Sequence, residues 1–258
     1  MSANNPDILA LDFDGVICDG LIEYFITTKK TYCQVWQHEG VDFDRFTNTF
    51  YKLRPVIETG WEMPVLLRAI VLEIADEKIL QEWPQVRDRL VESEQLNRKD
   101  LANRLDTVRD KWIATDLESW LDKHKFFSGV IDRLREIINS PTILYIVTTK
   151  EGRFTKRILQ KAGIELESQY IIGKECQRPK YETLRLIISS NPNKKDLWFV
   201  EDRLKTLKTV QQQTDLEQVK LFLAAWGYNT QQARDTLSYD RDIKLISLEQ
   251  FSQGFSAW

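Results

Sequence analysis

Asp7-Ile8-Leu9-Ala10-Leu11-Asp12-Phe13-Asp14-Gly15-Val16-Ile17-Cys18-Asp19-Gly20 is the stretch from which the fold is read. Ile8 to Leu11 is short, wholly apolar and bounded by polar residues, the pattern of a strand buried on both faces. On a continuing strand, Asp12 and Asp14 would share one face, with Phe13 on the other. Asp14-Gly15 reads as already leaving the strand, so that both carboxylates reach one end of it from a turn.

The character of the chain changes downstream of this stretch. From about residue 21 to 125 helical periodicity dominates, as in Phe43, Phe46, Thr47, Phe50 and Leu53, and again in Leu90, Leu96, Leu101, Leu105, Val108 and Trp112. Breaks are expected at Gly40, Arg54-Pro55, Gly60, Pro64 and Trp83-Pro84. The Trp and Phe residues of this segment read as helix–helix core. Beyond Phe127-Ser128-Gly129, short apolar runs alternate with amphipathic stretches. Strands are expected at 142–147, 170–172, 197–200, 221–225 and 243–246, with helices at 130–138, 153–162, 181–189 and 204–213. Such alternation means a mostly parallel sheet covered on both faces. One α/β unit, residues 1–20 and 126–258, is thus interrupted after its first strand by an all-helical insert, residues 21–125.

Composition narrows the functional classes. The 258 residues carry 36 Lys and Arg against 39 Asp and Glu, a formal net charge of −3, so there is no general attraction to nucleic acid or anionic lipid. Three Cys without a Cys-x-x-Cys pattern argue against a disulfide framework or a structural zinc site. The polar stretch Met1 to Asp7 lacks a secretory pattern and no segment approaches a membrane span, which together suggest a cytoplasmic protein. Cys18 and Cys33 read as small buried residues, and His38 and His124 receive no role. Lys52 to Trp61 reads as a structural turn with a surface ion pair or as a loop whose Arg54 and Glu58 contact the substrate's leaving group, and both residues are left outside the site.

In an open parallel sheet, ligands sit outside the carboxyl ends of the strands. The residues expected there are Asp12 and Asp14, Thr148, Lys180 and Glu201-Asp202. Four carboxylates, a hydroxyl and an ammonium suit a hard divalent cation together with an anionic group. Oxygen ligands favour magnesium, which takes part of its shell from substrate phosphate. Lys180 and the Thr148 hydroxyl are suited to the non-bridging phosphate oxygens.

This constellation resembles the haloacid dehalogenase superfamily, in particular relatives of phosphoglycolate phosphatase and beta-phosphoglucomutase that carry a helical cap. The resemblance rests on Asp12-Phe13-Asp14-Gly15 followed by Asp19, on Ile146-Val147-Thr148, and on Phe199-Val200-Glu201-Asp202. Phe126-Phe127-Ser128-Gly129-Val130 is similar to the segment by which those relatives return from the cap. The family's lysine is matched by Lys180, at the expected helix start, with Arg178 and Lys174 as alternatives. The resemblance implies a Rossmann-like core and a magnesium-dependent phosphatase acting on a small phosphorylated metabolite, with Asp12, Asp14, Glu201 and Asp202 around Mg2+. Asp12 would attack phosphorus to form an aspartyl-phosphate and Asp14 would serve as acid and then base, which requires Asp12 ionised and Asp14 protonated at the outset. A sugar phosphomutase of the same family and a non-catalytic binding protein are the rival expectations.

Overall fold

The computed structural model describes residues 5–37, 42–237, 240 and 242–258. Gly40 and His38 lie outside the described residues, as do residues 1–4 of the opening stretch. The chain forms two compact units, Met1–Asp19 with Lys125–Trp258, and Gly20–His124.

The first unit is built on strands β1 (Ile8–Leu11), β2 (Cys18–Asp19), β3 (Lys125–Phe126), β4 (Ile143–Val147), β5 (Ile171–Ile172), β6 (Leu197–Glu201), β7 (Lys220–Ala224) and β8 (Ile243–Ile246). Six of them form one all-parallel sheet in the order β5-β4-β1-β6-β7-β8. β2 and β3 form a separate antiparallel pair, Cys18 opposite Phe126 and Asp19 opposite Lys125. A parallel sheet is covered on both faces, so its central strands are apolar throughout rather than alternating. β1 and β6 are buried at every position. On one face Ile8 and Ala10 pack with Tyr145, Val147, Phe199, Leu221, Leu184, Leu207 and Val210. An aromatic cluster adds Trp198, Phe222, Phe255 and Trp258, with ring centroids 5.1–5.7 Å apart.

The strand order places the site. The chain runs outward from β1 to β4 and β5, then returns to β6 on the other side of β1 and continues outward to β7 and β8. Connections therefore diverge between β1 and β6, the place where an open sheet leaves a crevice. Leu11 lies opposite Ile146 of β4 and Val200 of β6, so Asp12, Glu201 and the residues after Val147 emerge at one level.

The second unit is helical, with helices Leu21–Trp36, Thr47–Leu53, Glu62–Val71, Asp76–Ser93, Arg98–Thr115 and Leu117–Leu121. Asn97 starts the fifth of these by accepting from the Lys99 and Asp100 amides. Phe50, Trp83, Trp112 and Trp120 are buried within the unit. One expected break is absent. Pro64 occupies the first turn of Glu62–Val71, where a missing N–H costs nothing. The break expected at Trp83-Pro84 is present as a kink: Glu82 leaves helical geometry (φ −127°, ψ 28°) and separates two helical stretches within Asp76–Ser93. Cys18 is buried but Cys33 is exposed on its helix. Arg54 is buried rather than superficial: its guanidinium donates to the Ile57 carbonyl (3.1 Å) and covers the Tyr24 ring. No helix among the described residues is long and apolar enough to cross a membrane.

A buried ion-pair network lies inside this unit. Fully buried Glu23 accepts from Arg109 (2.8 and 3.3 Å), Thr27 (2.8 Å) and the Trp120 indole (3.3 Å). Removing one partner of a buried ion pair strands the other charge away from water. Glu23→Leu is therefore expected to lower unfolding free energy by about 3 kcal/mol, read from urea unfolding followed by far-UV circular dichroism; an unchanged midpoint would contradict the pairing.

Candidate active site

Asp12 follows β1, and its amide donates to the Val200 carbonyl at 2.9 Å, which holds it against the end of β6. Pro179 is extended and Lys180 opens helix Lys180–Ser190, as its first residue. The Lys180 ammonium lies 2.8 Å from Asp12 Oδ1 and donates to Glu201 Oε2 at 2.6 Å. Glu201 is the last residue of β6, and its second oxygen accepts from the Arg203 amide at 3.0 Å. Oxygens of Asp12, Glu201 and Asp202 lie within 4.8 Å of one another, and all three residues are buried.

Asp202 is fixed by backbone. Its Oδ2 accepts from the Tyr228 amide at 2.7 Å, and its carbonyl accepts from the Asn229 side chain at 3.1 Å. Two glycines make room for it. Gly15 has φ +89°, and a Cβ there would fall 2.0 Å from Asp202 Oδ2. A Cβ on Gly227 would fall 2.3 Å from Asp202 Cβ and 2.5 Å from the Gly15 carbonyl. The loop after β7 reaches back further: the Trp226 indole donates to the Val16 carbonyl (3.1 Å) and Tyr228 Oη to Asp19 (2.9 Å). Asp19 is thus a hydrogen-bond acceptor that ties the β1 turn to the β7 loop.

Asp14 is half-buried and its carboxylate faces Lys150, whose ammonium lies 3.3 Å away. Thr148, buried immediately after β4, accepts through its hydroxyl from the Lys150 amide at 3.1 Å, within its own loop. It does not cap the next helix, which starts at Gly152 after Glu151. The structure therefore brings Asp12, Lys180, Glu201 and Asp202 into one cluster, while Asp14 and Thr148 each engage Lys150. Lys174 and Arg178 are exposed outside that cluster. Gly227, Tyr228 and Lys150 are the positioning residues not singled out from sequence. Lys150 stands two residues beyond Thr148, and Gly227-Tyr228 follow an apolar strand, which is the only local signal either offers.

Burial, then the charge of Glu201, push the Asp12 carboxyl up to about 7, against the opposing pull of Lys180. Burial raises Glu201 as well, with Lys180 opposing. For Lys180, burial disfavours the charge, but Asp12 and Glu201 together outweigh it and its pKa is raised. The ionised Asp12 required above is thus not favoured by the protein groups alone. Asp12 and Glu201 share the Lys180 ammonium, and Asp202 lies beside them, so three buried carboxylates offer hard oxygen donors in one cluster. That donor set and charge balance fit a divalent cation of the magnesium type, held by Asp12 and Asp202 with Glu201 alongside.

No family model matches the chain and no curated protein matches it. Solved structures do. A protein assigned as a phosphoglycolate phosphatase from Lactobacillus delbrueckii subsp. bulgaricus is similar over 96% of this chain and 98% of its own, with TM-score 0.62 and 13% identity. A protein assigned as a phosphatase from Clostridium difficile gives 0.60 and 14% over 96% and 97%. A haloacid dehalogenase-like family hydrolase from Streptococcus pneumoniae gives 0.56 and 13% over 95% of each chain. The chain has the α/β, Rossmann-like fold of haloacid dehalogenase-like hydrolases, and the resemblance read from its motifs holds at that level. At these identities the likeness is one of fold.

The raised carboxyl of Asp12 has a consequence for stability. A folded-state pKa above the unfolded value favours the protonated form, so its contribution is present below about pH 4 and is lost as pH rises through about 7. Chelator-treated protein should therefore lose stability between about pH 4 and 7 by an amount that Asp12→Asn removes. Added Mg2+ should raise the melting temperature more near pH 8 than near pH 5, because its ligands must be deprotonated. An equal rise at both pH values would contradict a carboxylate cation site. Gly227→Ala, which displaces Asp202, is expected to weaken that Mg2+ effect about tenfold in apparent affinity.

Proposed function

We propose that the protein is a magnesium-dependent phosphatase that hydrolyses a small-molecule phosphate monoester through an aspartyl-phosphate intermediate. The observation that carries this reading is the Asp12 carboxylate held at the end of β1 by Lys180, with Glu201 and Asp202 beside it. A lone buried aspartate has no use for that surplus of carboxylates. An aspartate that must meet a phosphate dianion does, once a cation is bound. When bound, the cation supplies positive charge that lets the phosphate approach and screens the carboxylates from it.

One Asp12 oxygen attacks phosphorus, forming the new P–O bond as the bond to the alcohol oxygen breaks. Asp14, two residues on and beside Lys150, gives its proton to the departing oxygen. It then takes a proton from the water that attacks phosphorus, and Asp12 is released with inorganic phosphate. Lys180 neutralises the phosphoryl oxygens and keeps Asp12 in place, and Thr148 contributes a hydroxyl at the adjacent strand end. This assignment draws the metal set toward Asp12, Glu201 and Asp202, leaving the Asp14 side chain to acid–base work.

The experiment is a screen of phosphorylated metabolites with Mg2+, comparing wild type with Asp12→Asn. The variant is expected to lose about 10³-fold or more in kcat. Wild-type protein quenched in acid during turnover should carry phosphate on Asp12. Activity surviving the substitution, or turnover unaffected by chelation, would remove the assignment.

A further inference from the structure

Asp14 is given two proton transfers, yet its own turn does little to aim it. Its Oδ1 is shielded from solvent and accepts no hydrogen bond among the described residues. What reaches that oxygen is the Lys150 ammonium, 3.3 Å away on a side chain only 10% exposed. A lysine ordinarily extends its charged head into water, so holding it inside against a carboxylate needs a fixed backbone. Lys150 has one. Its amide donates to the Thr148 hydroxyl (3.1 Å), and its carbonyl accepts from the Lys174 amide (2.9 Å). Thr148 is held in turn, its amide donating to the Ile172 carbonyl at 3.0 Å. The loop after β4 is thus clamped onto the loop after β5. Gly173 permits that approach: a Cβ there would fall 2.7 Å from the Lys150 carbonyl oxygen and 2.3 Å from the Gly152 nitrogen. Lys180 pairs with Asp12 and Glu201, so each of the two aspartates has a lysine of its own.

Resting on the phosphatase reading, we infer that Lys150 is a positioning residue for both proton transfers of Asp14, and that the loop after β5 sets it through Gly173. The ammonium pins one oxygen of the Asp14 carboxyl and so fixes the direction in which the other faces. In the first transfer the proton on Asp14 moves to the ester oxygen as the bond from that oxygen to phosphorus breaks, and a neutral alcohol leaves. In the second, Asp14 takes a proton from water as the water oxygen bonds to phosphorus and the bond to Asp12 breaks. Both transfers depend on hydrogen-bond reach, which a carboxyl free to turn about its side-chain torsions does not keep. Attack by Asp12 needs no proton from Asp14 when the leaving group departs as a stable anion. Lys150 therefore governs the release of alkoxides and the hydrolysis of the phosphoaspartate, and not the attack on an aryl ester.

The test compares two esters on the full chain with Mg2+: p-nitrophenyl phosphate, whose phenolate leaves unprotonated, and glycerol 2-phosphate, whose alkoxide needs a proton. Lys150→Met is expected to lower kcat on glycerol 2-phosphate about 100-fold, with KM within about twofold of wild type. On p-nitrophenyl phosphate, stopped-flow absorbance should show a burst of about one nitrophenolate per protein at the wild-type rate, then turnover about 100-fold slower than wild type. Lys150→Arg, which keeps the cation, should recover most of both activities. Gly173→Ala, which displaces the loop without touching Asp14, should reproduce the burst. Should Lys150→Met fail to fold, Lys150→Gln carries the same expectations. Equal loss on both esters including the first turnover, unchanged kinetics on both, or a change in KM alone overturns the inference. A burst in Lys150→Met that Gly173→Ala lacks overturns the part played by the β5 loop. Wild-type protein inactive on both esters and on the metabolite screen rejects the phosphatase reading and the inference with it, whereas active wild type with no burst in any variant rejects the inference alone.

Discussion

The ammonium of Lys180, shared between Asp12 and Glu201, is the interaction around which the end of the sheet is organised. Both carboxylates leave adjacent parallel strands at the same level, because Leu11 and Val200 are in register. Two buried negative charges so placed repel each other and lose their hydration. A single cation between them, 2.8 Å from one and 2.6 Å from the other, offsets both effects. Asp202 adds a third buried carboxylate within 4.8 Å of both. Burial lifts Asp12 toward neutrality. The donor set fits the divalent cation proposed for it.

Backbone rather than side chains holds the third carboxylate. Asp202 sits between Gly15 and Gly227 and accepts from the Tyr228 amide, so its position depends on the close approach of two loops. Only residues without a Cβ allow this approach. The same β7 loop reaches the β1 turn through Trp226 and Tyr228. The turn that carries Asp14 is thus braced by a segment more than two hundred residues away in the chain.

Much of this was legible in the chain. Ile8 to Leu11 reads as a strand because four apolar residues between polar ones have no amphipathic solution. The later strands read similarly, within a residue or two at their ends. Lys180 was favoured for its place at a helix start, with Lys174 and Arg178 left open, and the structure places it alone of the three against Asp12. The helical unit was less transparent. Proline is a local signal: Pro84 does mark a kink, but the cost of Pro64 depends on where its helix starts. Exposure of Cys33 and burial of Arg54 were invisible for the same reason, since both depend on which helix face finds a neighbour.

Local pattern therefore determined the order of strands and helices, the interruption after the first strand and the residue types at each strand end. These follow from hydrophobic period and turn chemistry, which act over a few residues. Tertiary structure alone decided which carboxylates share a lysine, that Asp14 faces Lys150, and that Gly227 and Tyr228 hold Asp202. Those are contacts between segments far apart in sequence, set by strand register and loop approach, and no short-range pattern encodes a distance of that kind.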